Sequence, residues 1–299
     1  MMSTVLDAFE EHRALLFGVA YRMLGTAADA EDVVQDAWLR WSAADRTDVA
    51  DPRAYLVRIT SNLTLDRLRS ARAQRESYVG PWLPEPVLTT LDAAEDVEMA
   101  ESVSMAMLVV LETLTPLERA VFVLREVFGF SYGEIAQALD RSEPSVRQLT
   151  HRAREHVQAR RPRFEPSSEE RRLVTERFIN ATLGGDINAL MEVLAPDVTL
   201  WTDGGGKVRA ARRAIQGAER VGRWMSEAIG RAYPGVAPAD MTIERVELNG
   251  VPGLVFRGPA GPISTLTLDV DDTGRVAAIQ VVANPDKLQA VAKGRELPF

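Results

Sequence analysis

Arg147 and Gln148 stand side by side near the start of a segment, Ser142 to Val157, in which Val146, Leu149, Ala153 and Val157 recur at helical spacing. With those four turned inward, Ser145, Arg147, Gln148, His151 and Arg152 remain on the outer face close to the helix start. Arginine can grip guanine through two N–H groups, and glutamine can pair with adenine through its amide. The pair therefore has the chemistry of a base reader in a DNA major groove. Arg141, Arg154, Arg160 and Arg161 are placed to meet phosphates, which adds affinity but no sequence information. A second set of like residues, Asp29, Asp32 and Asp36, shares one stripe of a helical segment. An acidic ridge does not face DNA; a solvated surface and a basic protein partner both fit it.

The elements that must position the readers are marked by their start signals. Thr115-Pro116-Leu117-Glu118 supplies an N-cap, a first-turn proline and a capping-box glutamate, and Ser131 with Glu134 repeats the box. Ser142 caps a third helix with Pro144 in its first turn, and Asp140-Arg141 leaves only a tight turn before it. That succession predicts a helix-turn-helix, with the third helix packed on Val121, Phe122, Ile135 and Leu139. Earlier in the chain, Ala30, Val33, Val34, Ala37, Trp38 and Trp41 form the apolar stripe opposite the aspartates. Asp51 and Pro52 open a helix running to about Arg75, with Arg58, Asn62, Arg69 and Arg72 outside the packing positions Leu56, Ile59 and Leu63.

With 299 residues the chain should hold two to three domains, and 46% hydrophobic and 26% charged residues are ordinary for globular ones. It has no cysteine, which excludes disulfides, cysteine-ligated zinc and thiol redox sensing; no cofactor or metal is expected. The N-terminus lacks a basic stretch ahead of an apolar run, and no segment approaches the roughly 20 apolar residues of a membrane span. A cytoplasmic protein is expected. The net charge of -8 hides two basic patches: six arginines against Asp66 and Glu76 over residues 53–76, and seven against Glu143 and Glu155 over 141–163. Between them Pro84 to Glu101 carries Glu85, Asp92, Glu95, Asp96, Glu98 and Glu101 without a base. Two basic patches joined by an acidic tether suggest two DNA-contacting modules.

The tether opens with the proline-rich Tyr78 to Pro86, whose Trp82 and Leu83 a solvated linker has no reason to keep, so docking is expected. Beyond Ser168 the pattern becomes α+β. Helices are predicted over Glu169 to Leu183, Asp186 to Leu194 and Ala211 to Ala232, with a strand at Val198 to Trp201. Strands follow at Met241 to Leu248, Leu254 to Arg257, Ile263 to Val270 and Arg275 to Val282, with hairpin turns at Asn249-Gly250 and Asp272-Thr273-Gly274. Such an order gives a cone of helices against a curled antiparallel sheet.

The segments YRMLG, DAEDVVQDAWLRW, PRAYLVRITSNLTLDRLR and SYGEIAQALDRSEPSVRQLTHRARE resemble regions 2 and 4 of bacterial extracytoplasmic-function sigma factors, over about the first 160 residues. The resemblance implies that Asp29, Asp32, Gln35 and Asp36 face the β′ clamp helices of the RNA polymerase core. It also implies that region 4 meets the β flap. The loop from Ser42 to Asp51, with Arg58, Asn62, Arg69 and Arg72, would bind and open the promoter -10 element. Arg141, Ser145, Arg147, Gln148, His151 and Arg152 would engage the -35 element. Relatives often carry a basic residue where Leu149 stands, and Leu149 is read here as core. The rival reading is a one-component DNA-binding regulator with a ligand-binding or enzymatic C-terminal domain; such a regulator needs only one DNA module, and the separate -10 module argues against it.

The C-terminal part resembles the SnoaL-like branch of the nuclear-transport-factor-2-like superfamily, and the fusion resembles the sigma-factor group called group 41. Its marks are Trp82-Leu83-Pro84-Glu85-Pro86, Asp203-Gly204-Gly205-Gly206-Lys207 and Asn284-Pro285-Asp286-Lys287-Leu288. The resemblance implies that this domain packs on the DNA-binding modules and adjusts them in cis, without a separate anti-sigma factor. Expected boundaries are 1–77 for region 2, 78–104 for the linker, 105–163 for region 4 and 168–299 for the SnoaL-like domain. Its cone offers room for a small ligand. No enzyme activity is expected: His12, His151 and His156 lie outside the domain, which leaves Asp203 and Asp269 as acid–base candidates, and Asp203 is explained by its loop.

Overall fold

The computed structural model describes residues 5–44, 49–89, 103–160, 167–229 and 236–294. Three helices, α1 (Val5–Leu24), α2 (Ala27–Ala43) and α3 (Pro52–Glu76), form the first bundle. Its core joins Leu16, Val19, Ala20 and Met23 to Ala30, Val33, Val34, Ala37 and Trp41, and to Leu56 and Ile59. The expected stripe of α2 is thus the buried one, except that Trp38 stops half-buried, edge-on to Phe9 with ring centroids 5.1 Å apart. Ser42, Asp51 and the residues near them are described; positions 45–48 of the expected -10 loop lie outside the described residues.

The second helical unit comprises α4 (Met105–Glu112), α5 (Pro116–Phe122), α6 (Tyr132–Leu139) and α7 (Glu143–Gln158). Thr115 with Glu118 and Ser131 with Glu134 form complete capping boxes, and the Ser142 hydroxyl accepts from the Ser145 N–H. Asp140 ends α6 in the left-handed region (φ 52°), which turns the chain within two residues. A wider π-helical turn, Val123–Val127, extends α5. Leu149 is half-buried and packs against the core from its edge, while Thr150, not expected there, takes the fully buried position between Val146 and Ala153. The Thr150 hydroxyl donates to the Val146 carbonyl at 2.9 Å, so the helix itself satisfies a polar group at a core position.

The C-terminal unit places α8 (Ser168–Leu183), α9 (Ile187–Val193) and α10 (Ala218–Ile229) on one face of a six-stranded sheet. The strands are β1 (Leu194–Asp203), β2 (Ile215–Gln216), β3 (Thr242–Leu248), β4 (Val251–Gly258), β5 (Gly261–Val270) and β6 (Val276–Val282), in the order β2-β1-β6-β5-β4-β3. Two expectations change. The helix predicted from Ala211 begins at Ala218 behind the short strand β2, and the sheet is not wholly antiparallel, because β1 runs parallel to β6.

Strand alternation divides the sheet. Leu200, Leu254, Leu266, Leu268, Ile279 and Val281 pack under the helices against Phe178, Leu190 and Met225. On the opposite face Trp201 and Val282 meet Leu83, Met105 and Leu288, while Leu248 and Val255 meet Leu88 and Val291. That face is covered by the tether, by α4 and by the C-terminal turn Pro285–Lys287 with α11 (Gln289–Ala292). Asp203 and Asp269 both lie on this second face, in alternation with Leu200 and Leu268. Neither is the acid–base group inside an apolar cone that their sequence context allowed.

Candidate nucleic-acid interface and interdomain site

On α2, Asp32 and Gln35 are exposed and Asp29 and Asp36 are half-buried along one ridge. The sequence reading missed their partner. The Arg67 guanidinium from α3 lies 3.6 Å from Asp29, 3.2 Å from Asp32 and 3.2 Å from Asp36. One cation thus holds three like charges together and leaves a net acidic surface. Arg67 was visible only as part of a basic patch; which of those arginines turns toward α2 is set by the packing of the two helices.

The helix that carries the first basic patch packs on α6, the helix ahead of α7. The Asn62 amide donates to the carbonyls of Arg58 and of Ala138, the latter in α6. Arg53 lies 3.8 Å from Glu134 and stacks over Phe130 at 4.2 Å. The cleft between these modules, about 390 Å³, is bounded by Asp51, Tyr55, Arg58, Phe130, Glu134 and Ala138. Arg58 is exposed near the Tyr55 ring, and Arg69 pairs with Asp66 at 3.0 Å. The side chain of Arg72 lies outside the described residues.

On α7, Arg147, Gln148, His151 and Arg152 are exposed, Ser145 is half-buried, and Arg141 is exposed in the preceding turn. Arg147 reaches Glu143 at 3.4 Å and stacks over Tyr132 at 4.2 Å, with Arg125 on the same ring at 4.6 Å. The stack restrains a long side chain that would otherwise lose more entropy on meeting a base. His151 lies 3.7 Å from Glu155. Arg154 is held by both carboxylate oxygens of Glu126, a contact that raises its pKa.

The tether residues converge on Asp203, which is completely buried. Its carboxylate accepts from the Tyr78 hydroxyl at 2.5 Å, the Leu83 N–H at 2.9 Å, the Gly205 N–H at 3.1 Å and the Lys287 ammonium at 2.7 Å. Lys287 also donates to the Leu83 carbonyl, and burial pulls its pKa down to about 8 against the pull of Asp203. Trp82 is flanked by Lys287 at 4.0 Å and Arg75 at 3.7 Å, so it docks at once on the C-terminal domain and on the preceding helix. Leu83 is buried against Met105, Val282 and Leu288, with Pro84 buried beside it.

The glycines of this loop permit close approach. A Cβ on Gly205 would sit 2.4 Å from the Asn284 amide, and one on Gly204 2.6 Å from the Val208 carbonyl. Gly206 passes under Val79. Asn284 caps the turn holding Pro285 and Asp286, and its amide donates to the Tyr78 hydroxyl at 2.8 Å. Lys207 pairs with Asp286 at 2.6 Å on the surface, so the buried partner of Asp203 is Lys287 and not the lysine of its own loop.

Two residues read only as a motif position and a turn prove to be junctions. Glu85, 3% exposed, accepts from the N–H groups of Ala27 at 2.7 Å and Ala28 at 3.3 Å. Burial raises its pKa, and the backbone N–H groups of Ala28, Ala27 and Ala290 oppose the shift. Asn249, in the β3–β4 turn, is fully buried with φ 54° and bonds to α1, the tether and Val103. The tether also pairs with the edge of β3: Thr89 N–H donates to the Glu247 carbonyl at 3.1 Å, and Asn249 N–H to that of Val87 at 3.0 Å. An Asn-Gly turn announces a hairpin, but no local signal says that its side chain reaches another domain.

The sequence matches the sigma-70 region 2 family over residues 8–74 and the sigma-70 region 4 family over residues 104–157. It is 42% identical over 295 residues to the ECF RNA polymerase sigma factor SigJ of Mycobacterium tuberculosis, covering 94% of this chain and 92% of that protein. A probable ECF RNA polymerase sigma factor of the same species, SigI, is 37% identical over 222 residues, 73% of this chain and 74% of that one. The crystal structure of M. tuberculosis SigJ aligns with a TM-score of 0.75 at 38% identity, over 95% of this chain and 98% of that chain. Similar along nearly its whole length, through both sigma regions and the C-terminal sheet, the chain belongs to the extracytoplasmic-function RNA polymerase sigma factors.

Proposed function

We propose that this sigma factor directs promoter-specific initiation through two modules whose arrangement its own C-terminal domain controls in cis. The acidic ridge of α2 meets the β′ clamp helices of the polymerase core, and region 4 meets the β flap. The start of α3 engages the -10 element and α7 the -35 element, with Arg147 and Gln148 as base readers. The protein works in the cytoplasm without a separate anti-sigma factor. The observation that carries the regulatory reading is the burial of Asp203 between a tether N–H, Tyr78 and Lys287. A charge with no exposure, whose partners come from the tether and the domain's end, ties the tether to the sheet. The packing of Asn62 on α6 supports it further, because that contact joins the region 2 helix to the helix that leads into α7.

Transcription in vitro with bacterial core polymerase and the full chain tests both parts. Asp32→Arg with Asp36→Arg abolishes core binding; unchanged affinity removes this face from the interface. Asp203→Ala shifts transcript yield several-fold, and an unaltered yield counts against control by the C-terminal domain. Arg147→Ala costs about 1–3 kcal/mol at one promoter position, whereas a uniform loss across sequences makes it a phosphate contact.

A further inference from the structure

The first turn of α2 is completed by a residue from another part of the chain. A helix leaves its first N–H groups without intrahelical partners, and the N-cap side chain ordinarily accepts from one of them. Here the N-cap is Thr26, which makes no such bond; its hydroxyl turns to Asp29 at 2.5 Å. The acceptor is the Glu85 carboxylate, taken from the tether, on the N–H groups of Ala27 and Ala28. A carboxylate at that end also complements the helix dipole. Asp29, the first member of the acidic ridge, lies in the turn that Glu85 closes.

Glu85 is in turn held by contacts that lead back to the C-terminal sheet. Its N–H donates to the Gly25 carbonyl at 2.8 Å, and its carbonyl accepts from the Tyr21 hydroxyl at 2.8 Å. Tyr21, fully buried in α1, accepts from the Asn249 amide at 2.6 Å. The same amide group donates to the Val103 carbonyl at 3.0 Å, and the Asn249 side-chain oxygen accepts from the Val87 N–H at 3.1 Å. Asparagine and glycine both tolerate the left-handed conformation of this turn, so the turn alone does not require the amide. All three of these side-chain bonds go outside the C-terminal domain.

We propose that Asn249 and Glu85 are positioning residues for polymerase binding: the C-terminal hairpin, through Asn249 and Tyr21, holds the tether so that Glu85 caps the helix presenting Asp29, Asp32 and Asp36. The C-terminal domain thereby acts on the core-binding helix as well as on the spacing of the promoter modules. The inference rests on the reading of the α2 ridge as the polymerase-facing surface.

The test uses the full chain, with amide hydrogen exchange of the α2 first turn and affinity for core polymerase as paired readouts. Glu85→Ala speeds exchange at residues 27–30 by roughly fivefold, as expected for loss of a cap. Asn249→Gly keeps the left-handed turn, touches no atom of α2, and yet speeds the same amides by a smaller factor. The double variant exchanges no faster at those amides than Glu85→Ala alone, because both act through one relay. Tyr21→Phe, which removes one hydroxyl, and Glu85→Gln, which keeps an acceptor oxygen, give intermediate effects and cover the case in which a larger change prevents folding. Each variant lowers core affinity in the order of its exchange effect. If Asn249→Gly alters exchange in the β3–β4 hairpin and leaves α2 untouched, the relay is wrong. If exchange responds but core affinity does not, while Asp32→Arg with Asp36→Arg still abolishes binding, the proposal fails. If that double substitution is also silent, the fault lies in the reading of the ridge.

Discussion

The two faces of the C-terminal sheet bury comparable side chains against different parts of the chain. Under the helices, Leu200, Leu266, Leu268 and Ile279 meet Phe178, Leu190 and Met225, all from the same domain. On the other face Trp201, Val282 and Val255 meet Leu83, Met105 and Leu88, and charged or polar groups such as Asp203 and Asn249 are buried among segments from outside the sheet. Apolar packing is non-directional and can be completed within a domain. A buried charge or amide needs particular donors and acceptors, and here the tether, helix α1 and Val103 supply several of them, beside Lys287 and Gly205 from the domain itself. The first face makes the domain; the second makes the domain a part of the sigma factor.

Asp203→Ala should cost the most of any single change on the second face. It leaves the Lys287 ammonium, with 7% side-chain exposure, without its anion, and removal of one partner of a buried pair costs about 3–5 kcal/mol. Unfolding experiments should show that loss, together with faster proteolysis of the tether; an intact tether in a destabilised protein contradicts the division of roles. Ile279→Ala on the helix side empties part of a core and costs about 2–5 kcal/mol. Here the unfolding transition of the C-terminal domain falls while core-polymerase affinity at permissive temperature stays as it was, and a parallel loss of affinity shows the two faces to be coupled.

Burial raises the pKa of Asp269, on the polar face, from 3.8 to about 6, with the Gln280 amide opposing the shift at 2.6 Å. A pKa raised by folding means that the stability this group contributes is fully present below about 3.8 and is lost as pH rises through about 6. Asp269→Asn should therefore stabilise the protein at pH 7.5 by on the order of 1–2 kcal/mol, with the gain shrinking toward pH 5. A gain independent of pH over that interval argues against an ionised Asp269.

Much of the local structure was legible because its determinants are local. Thr115 with Glu118, Ser131 with Glu134, and Ser142 fix three helix starts, and period-two alternation with Asn249-Gly250 marks the β3–β4 hairpin. The acidic ridge could be read the same way, whereas the sigma regions and the three motifs were legible through their resemblance to known families. Leu149 packs at the edge of the core, since helical spacing gives a stripe without its exact edge, and Thr150, polar by composition, satisfies itself on its own helix and enters the core. The parallel β1–β6 pairing was not legible, since a strand whose partner lies as far along the chain as Ile279 is from Leu200 carries no sign of direction.

Most elements and their order follow from residues close together in the chain, as do the groups of arginines and aspartates proposed as base readers and as a surface for a basic partner, since capping, periodicity and charge act over a few residues. Only the tertiary structure decided that Arg67 ties the three aspartates, that Lys287 and not Lys207 neutralises Asp203, and that Glu85 and Asn249 serve helices far away in the chain. Those choices depend on which buried polar groups meet when separate elements pack, and a buried donor or acceptor must find its partner wherever in the chain the fold brings one within hydrogen-bonding distance.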